Sequence, residues 1–165
     1  MLGPMNALDT QSAAGMWAAY VGLHPEHAEE EMPPIERFGD SAELADELLE
    51  LVLRGQKRAT AEAVAGFRAD RQLLPRIGSH WIVADGSGQS QAILRSKELR
   101  IGPLCSVDDA FAWDEGEGDR TREWWIDAHL RYLERSCAPL GLKVDEQLEL
   151  VFERFDVVWP PEFAD

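Results

Sequence analysis

The sequence predicts an α+β domain whose mostly antiparallel sheet curls toward a small β-barrel flanked by helices. Three observations carry that prediction. Two long segments place apolar residues at helical spacing, over 40–53 and 121–137. Two apolar runs, His80–Ala84 and Gln91–Leu94, flank the turn Asp85-Gly86-Ser87-Gly88 and read as a hairpin. A last run, 148–158, alternates Leu148, Leu150 and Phe152 with Glu149 and Glu153, the period of a half-buried strand.

In chain order, residues 10–23 read as a helix with an apolar edge of Met16, Trp17 and Tyr20, stopped by Pro25. The acidic stretch Glu26, Glu29, Glu30, Glu31 then runs into Pro33-Pro34, a connector. Asp40 with Glu43 three residues later is a capping-box arrangement that starts the next helix. Leu44, Leu48, Leu51 and Val52 form its stripe, and Gly55 suits a left-handed terminus. Lys57 and Thr60 follow on loop or early strand. Beyond the hairpin, Glu98–Ile101 prolong the second strand toward Gly102-Pro103. Asp108–Trp113 form a short helix, and 114–119 form an acidic loop punctuated by Gly116 and Gly118. Thr121 caps the last helix, which carries Trp124, Trp125, Ala128 and Tyr132 and breaks at Pro139 and Gly141. The final strand ends at Pro160-Pro161.

At 165 residues the chain is expected to be one domain, 1–165, with its core over about 15–158. No apolar stretch is long enough to span a bilayer, and Asp9 ahead of Ala13–Leu23 makes a poor secretory signal. A cytoplasmic location with no membrane partner is the expectation. Cys105 and Cys137 lack a CxxC partner and read as reduced thiols. His24 and His27 are three apart without a second ligand pair, so no metal is expected.

The net charge of −15 is unevenly spread. From Arg54 to Arg100, nine cations face four acids, leaving +5 there and −20 elsewhere. Such a chain suits a nucleoside or a short single strand and disfavours long duplex DNA, whose phosphates the remaining charge repels. Within the basic block, Lys57 and Thr60 set an amine and a hydroxyl three residues apart, a plausible base and nucleophile. A lysine after a helix C-terminus is equally a dipole partner. The acidic loop could hold a general acid, a metal or neither, and its Glu117 lies between two glycines that permit a close approach. Arg58, Arg68, Arg71 and Arg122 are candidate phosphate contacts, and Trp113 is a candidate stacking platform.

Several segments together resemble the ASCH domain, of the PUA-like superfamily, and in particular the small bacterial YhfF-like members. They are Phe38-Gly39-Asp40-Ser41, Glu43–Leu48, Gly55-x-Lys57-x-Ala59-Thr60-Ala61, Asp85-Gly86, Glu115-Gly116-Glu117-Gly118-Asp119, then Trp124 or Trp125 and His129. The resemblance implies a PUA-like barrel with flanking helices and an association with RNA or modified nucleosides. One branch of the family resembles an amidohydrolase that removes the acetyl group of N(4)-acetylcytidine without a cofactor. Carried over by motif, its nucleophile falls on Thr60, its proton acceptor on Lys57 and its proton donor on Glu117. Another branch is similar to a metal-assisted ribonuclease, in which a divalent metal would enter, and a non-catalytic RNA- or nucleotide-binding module is a further alternative. Arg58 stands where the family commonly has threonine, and Ala61-Glu62 replace a more usual small hydroxylated continuation, which leaves the substrate open.

Overall fold

A computed structural model describes residues 5–165. In chain order the elements are α1 (Thr10–Leu23), β1 (Ile35–Glu36), α2 (Ala42–Leu53), β2 (Ala59–Ala63), α3 (Val64–Ala69), β3 (His80–Ala84), β4 (Ser90–Pro103), α4 (Asp109–Glu115), α5 (Arg122–Cys137) and β5 (Glu149–Trp159). Short 3-10 turns cover Pro25–His27, Leu104–Ser106 and Ala138–Leu140. The five strands hydrogen-bond in the order β1-β3-β4-β5-β2, a curled sheet that does not close. The expected barrel is therefore an open one, with β1 and β2 as edges. β1 pairs parallel with β3, whereas β3–β4 and β2–β5 are antiparallel.

The chain forms two compact units. One comprises the described residues up to Arg54 with Gly78–Arg95 and Asp156–Asp165; the other comprises Gly55–Ile77 and Ser96–Phe155. In the first, α1 buries Ala13, Trp17 and Tyr20 at positions i, i+4 and i+7. They pack with Ile82 and Ile93. Asp9 caps this helix, its carboxylate accepting from the Ser12 N–H at 2.9 Å. α2 is capped by Ser41 and not by Asp40: the Ser41 hydroxyl accepts from the Leu44 N–H at 3.1 Å. It ends, as the pattern predicts, ahead of Gly55 at φ +82°. The hairpin forms as read, and Asp85 organises its turn by accepting from the Ser87 and Gln89 N–H groups. His80 is buried, and burial above all, reinforced by His27, holds its imidazole down to about 4.

In the second unit, α5 buries Trp125, His129, Leu133 and Cys137, one residue per turn. Phe111, Leu150 and Phe152 join them with the alanines of β2. Phe111 meets Phe152 edge to face at 5.2 Å and Trp125 at 6.3 Å. Each such ring contributes roughly 1.5–3 kcal/mol by burial. β2, left between loop and strand by the sequence, buries Ala59, Ala61 and Ala63 and turns Thr60 and Glu62 the other way. α3 has no sequence signal at all. Asp108 and Thr121 cap α4 and α5, accepting from the N–H groups of Phe111 and Trp124. No helix among the described residues is long and apolar enough to cross a membrane, and Cys105 and Cys137 are free thiols.

Candidate functional site

The site is built where the loop after α2 meets the end of α4. The short helix runs further than its sequence pattern predicts: Asp114 and Glu115 belong to the last turn of α4, and only at Gly116, φ +72°, does the helix stop. Two carbonyls at that helix end are satisfied by the incoming loop. The Arg58 N–H donates to Asp114 O at 2.8 Å, and the Gln56 amide donates to Gly116 O at 2.7 Å. The approach is so close that a Cβ on Gly116 would lie 2.4 Å from Gln56 O. Gly118 is similarly confined by the Trp124 ring.

This splice carries Lys57 inward. Its side chain is 1 % exposed, and its Nζ lies 2.6 Å from Glu117 Oε1 and 3.6 Å from Glu115 Oε2. Glu115 is also 1 % exposed, and its Oε2 lies 3.3 Å from Nε2 of His129. The His129 ring is clamped: it stacks on Trp125 at 3.7 Å, and its Nδ1 donates to the Trp125 carbonyl at 2.9 Å. Nε2 is thereby aimed at Glu115. Glu117, at 15 %, is the member of the cluster most open to solvent.

Lys57, Glu115 and His129 are held in their charged forms by this cluster. Burial pushes the Lys57 amine down, and Glu115 and Glu117 outweigh it, so its pKa is raised from the ordinary value. Burial pushes the Glu115 carboxyl up, and Lys57 and His129 bring it below its ordinary value. Burial likewise pushes His129 down, and Glu115 raises it above 6.5. Nearby, Glu62 accepts from the Tyr132 hydroxyl at 2.8 Å, and burial raises its carboxyl.

A pH dependence of stability follows. The folded chain holds the His129 proton more tightly than the unfolded chain does. The stabilisation is complete below the unfolded value of about 6.5 and fades as pH rises through the raised folded value. Glu115 acts oppositely: its contribution is present above about 4.5 and fades as pH falls through its lowered folded value. Melting temperature recorded against pH should therefore decline on the alkaline side of about 6.5, and His129→Gln should flatten that limb. An unchanged limb in the variant contradicts the ion pair.

Of the sequence-predicted residues, Lys57 and Glu117 come together, and Thr60 lies three positions on in β2, half-buried and in register with Glu153. Arg58 folds back, its guanidinium donating to Lys57 O at 2.9 Å. Arg68, in the last turn of α3, and Arg71, at φ +56°, are exposed. Trp113 is 57 % exposed, with the Arg120 guanidinium 3.8 Å over its ring. Arg122 spends Nε on Val107 O and Nη2 on Cys105 O, both at 2.7 Å, which fastens α5 to the chain ahead of α4.

Sequence reasoning quoted Glu115 and His129 within the family resemblance and gave neither a role in the site. A signal existed for both. Glu115 follows Phe111 by four positions, and His129 sits between Trp125 and Leu133 at the same interval, so each lies on its helix's buried stripe. A charged residue on such a stripe needs a partner. The basic block also divides: Arg54 and Arg95 fall in the first unit and the other seven cations in the second. The second unit holds 13 cations against 16 acids, a net −3, while the first holds three against 15, a net −12. An anionic ligand is repelled least by the unit that holds the site.

A family model described as the ASCH domain matches residues 35–159. The chain is similar to a crystal structure of a DUF984 protein from Enterococcus faecalis V583, with 30 % identity and a TM-score of 0.83 over 91 % of this chain and 90 % of that one. It is also similar to an ASCH domain from Lactobacillus crispatus JV V101, with 26 % identity and a TM-score of 0.83 over 93 % and 97 %. No curated protein matches it.

Proposed function

The chain belongs to the ASCH domain family, and from that premise we propose that it is a small amidohydrolase acting on an acylated nucleoside of the N(4)-acetylcytidine kind. The supporting observation is the 2.6 Å pair between the Lys57 amine and the Glu117 carboxylate, buried at one end and open at the other. A pair this close can pass one proton across itself. In the resting state the amine holds the proton. Its shift to Glu117 creates a free amine and a carboxylic acid side by side, the two forms that amide cleavage requires.

Thr60 Oγ1 attacks the acyl carbon as Lys57 takes the hydroxyl proton; the C–N bond breaks as Glu117 gives its proton to the departing amine. Lysine is now ammonium and Glu117 carboxylate. Water then attacks the threonyl ester, giving one proton to Glu117, while Lys57 returns its proton to the Thr60 oxygen. This restores the amine and acid forms that began the attack, and return of the proton from Glu117 to Lys57 regenerates the resting pair. Glu115 and His129 touch no reacting atom in this scheme. Glu115 counterbalances the lysine, His129 counterbalances Glu115, and together they set the cost of moving the lysine proton.

Turnover of N(4)-acetylcytidine and of simple amides tests the reading. Lys57→Ala and Glu117→Gln should each lower kcat/KM by at least about 10²-fold, the range for loss of a general acid or base. Equal turnover by wild type and both variants, or none by the wild type, refutes the activity.

A further inference from the structure

The first unit contains a second group of titratable side chains that the proposed reaction does not use. His27 lies in the 3-10 turn after α1, Glu30 three residues beyond, and His80 in β3, fifty residues away in sequence. One ligating atom from each lies within 4.8 Å of the others. His27 Nδ1 is 2.8 Å from Glu30 Oε1, and His80 Nδ1 is 3.8 Å from Glu30 Oε2. We propose that His27, Glu30 and His80 bind one zinc(II) ion, with solvent as the fourth ligand.

The geometry suits that ion. Metal–nitrogen and metal–oxygen bonds of about 2.0–2.2 Å place tetrahedral donors roughly 3.3 Å apart. The two observed separations bracket this value, and the carboxylate between them is half-exposed and free to adjust. Two imidazoles and a carboxylate select zinc over magnesium or calcium, which take oxygen donors.

The outer shell is also in place. The Tyr20 hydroxyl lies 3.2 Å from His80 Nε2 and occupies that nitrogen, so Nδ1 is the one left to ligate. Glu26 Oε1 lies 3.9 Å from His27 Nε2, a carboxylate facing that nitrogen beyond hydrogen-bond reach, while Nδ1 already faces Glu30. Tyr20 stacks on His24 at 4.4 Å and on His27 at 5.7 Å, and His27 meets His80 edge to face at 4.7 Å, which holds the rings in register. The His80 side chain is 2 % exposed and Glu30 51 %, so the ion enters from the Glu30 side against a dry imidazole floor. The −12 charge of this unit draws a cation in.

The test is calorimetric titration of zinc into tag-free, chelator-treated protein at neutral pH, with cobalt(II) absorption as a second readout. One equivalent should bind with Kd at or below about 1 µM and raise the melting temperature. His27→Ala and Glu30→Gln, at partly exposed positions that leave the core intact, should each weaken binding at least tenfold and abolish the visible cobalt bands. No binding by the wild type, or undiminished binding by both variants, overturns the site. Because none of these residues lies near Lys57 or Glu117 in sequence or belongs to their unit, amidase assays are read separately.

Discussion

Lys57→Met melts on the order of 10 °C below the wild type, because it leaves Glu115 enclosed at 1 % exposure with only His129 as counter-charge. Removing one partner of a buried ion pair costs about 3–5 kcal/mol, most of it the desolvation of the charge left behind. The origin of that loss can be isolated. Lys57→Met combined with Glu115→Gln removes the stranded charge and recovers part of the stability, so the two changes are strongly non-additive. Denaturant titration of the two single variants and the double variant measures the coupling, expected at about 1–3 kcal/mol. A loss under about 1 kcal/mol in Lys57→Met refutes the picture of a charged, water-excluded lysine. The same comparison separates stability from chemistry, since Glu117, at the open end, can be made Gln at little structural cost.

The second large effect is steric. Gly116→Ala must place a Cβ 2.4 Å from a backbone oxygen at a positive φ, so neither a rotamer change nor a side-chain shift can relieve it. The expected cost is about 2–4 kcal/mol, the sum of left-handed strain and forced displacement of the Gln56–Arg58 loop. Gly66→Ala provides the contrast. Nothing lies within 4 Å of its Cβ and the residue is helical, so stability should rise by about 0.5–1 kcal/mol. Chemical denaturation of both variants decides it. If Gly116→Ala is as stable as the wild type, the loop does not depend on that approach. If it is destabilised, turnover should fall with it, because the displaced loop carries Lys57.

Where local chemistry decides structure, the residues announced it. Asp108 and Thr121 are polar residues ahead of apolar stripes, and both cap; the Asp85–Gly88 turn formed as its composition required. Ser41 and Asp40 are both able caps one residue apart, and only the tertiary path of the chain selects the serine. β2 is another matter. Ala-Thr-Ala-Glu-Ala has weak strand propensity, and it is a strand because β5 pairs with it and because Ala59, Ala61 and Ala63 are buried in one cluster with Phe111, Trp125 and Phe152. The candidate site divides in the same way. The motif singled out Lys57 and Glu117 while periodicity held Glu115 and His129 unread. The meeting of His80 with His27 across 53 residues has no local signature at all.

The unclosed sheet bears on the chain's exposure to edge-to-edge association. An open sheet offers unpaired N–H and C=O groups to any other extended chain, the usual seed of amyloid-like stacking. Here one edge, β1, is two residues long, too short to serve as a template. The other, β2, carries a single β-branched threonine among three alanines and a glutamate, the latter two residue types depleted in strands. A sequence that put valines at those alanines would gain a better strand and lose that protection. The alanine edge buried with the aromatic core is thus also a gatekeeper against self-assembly.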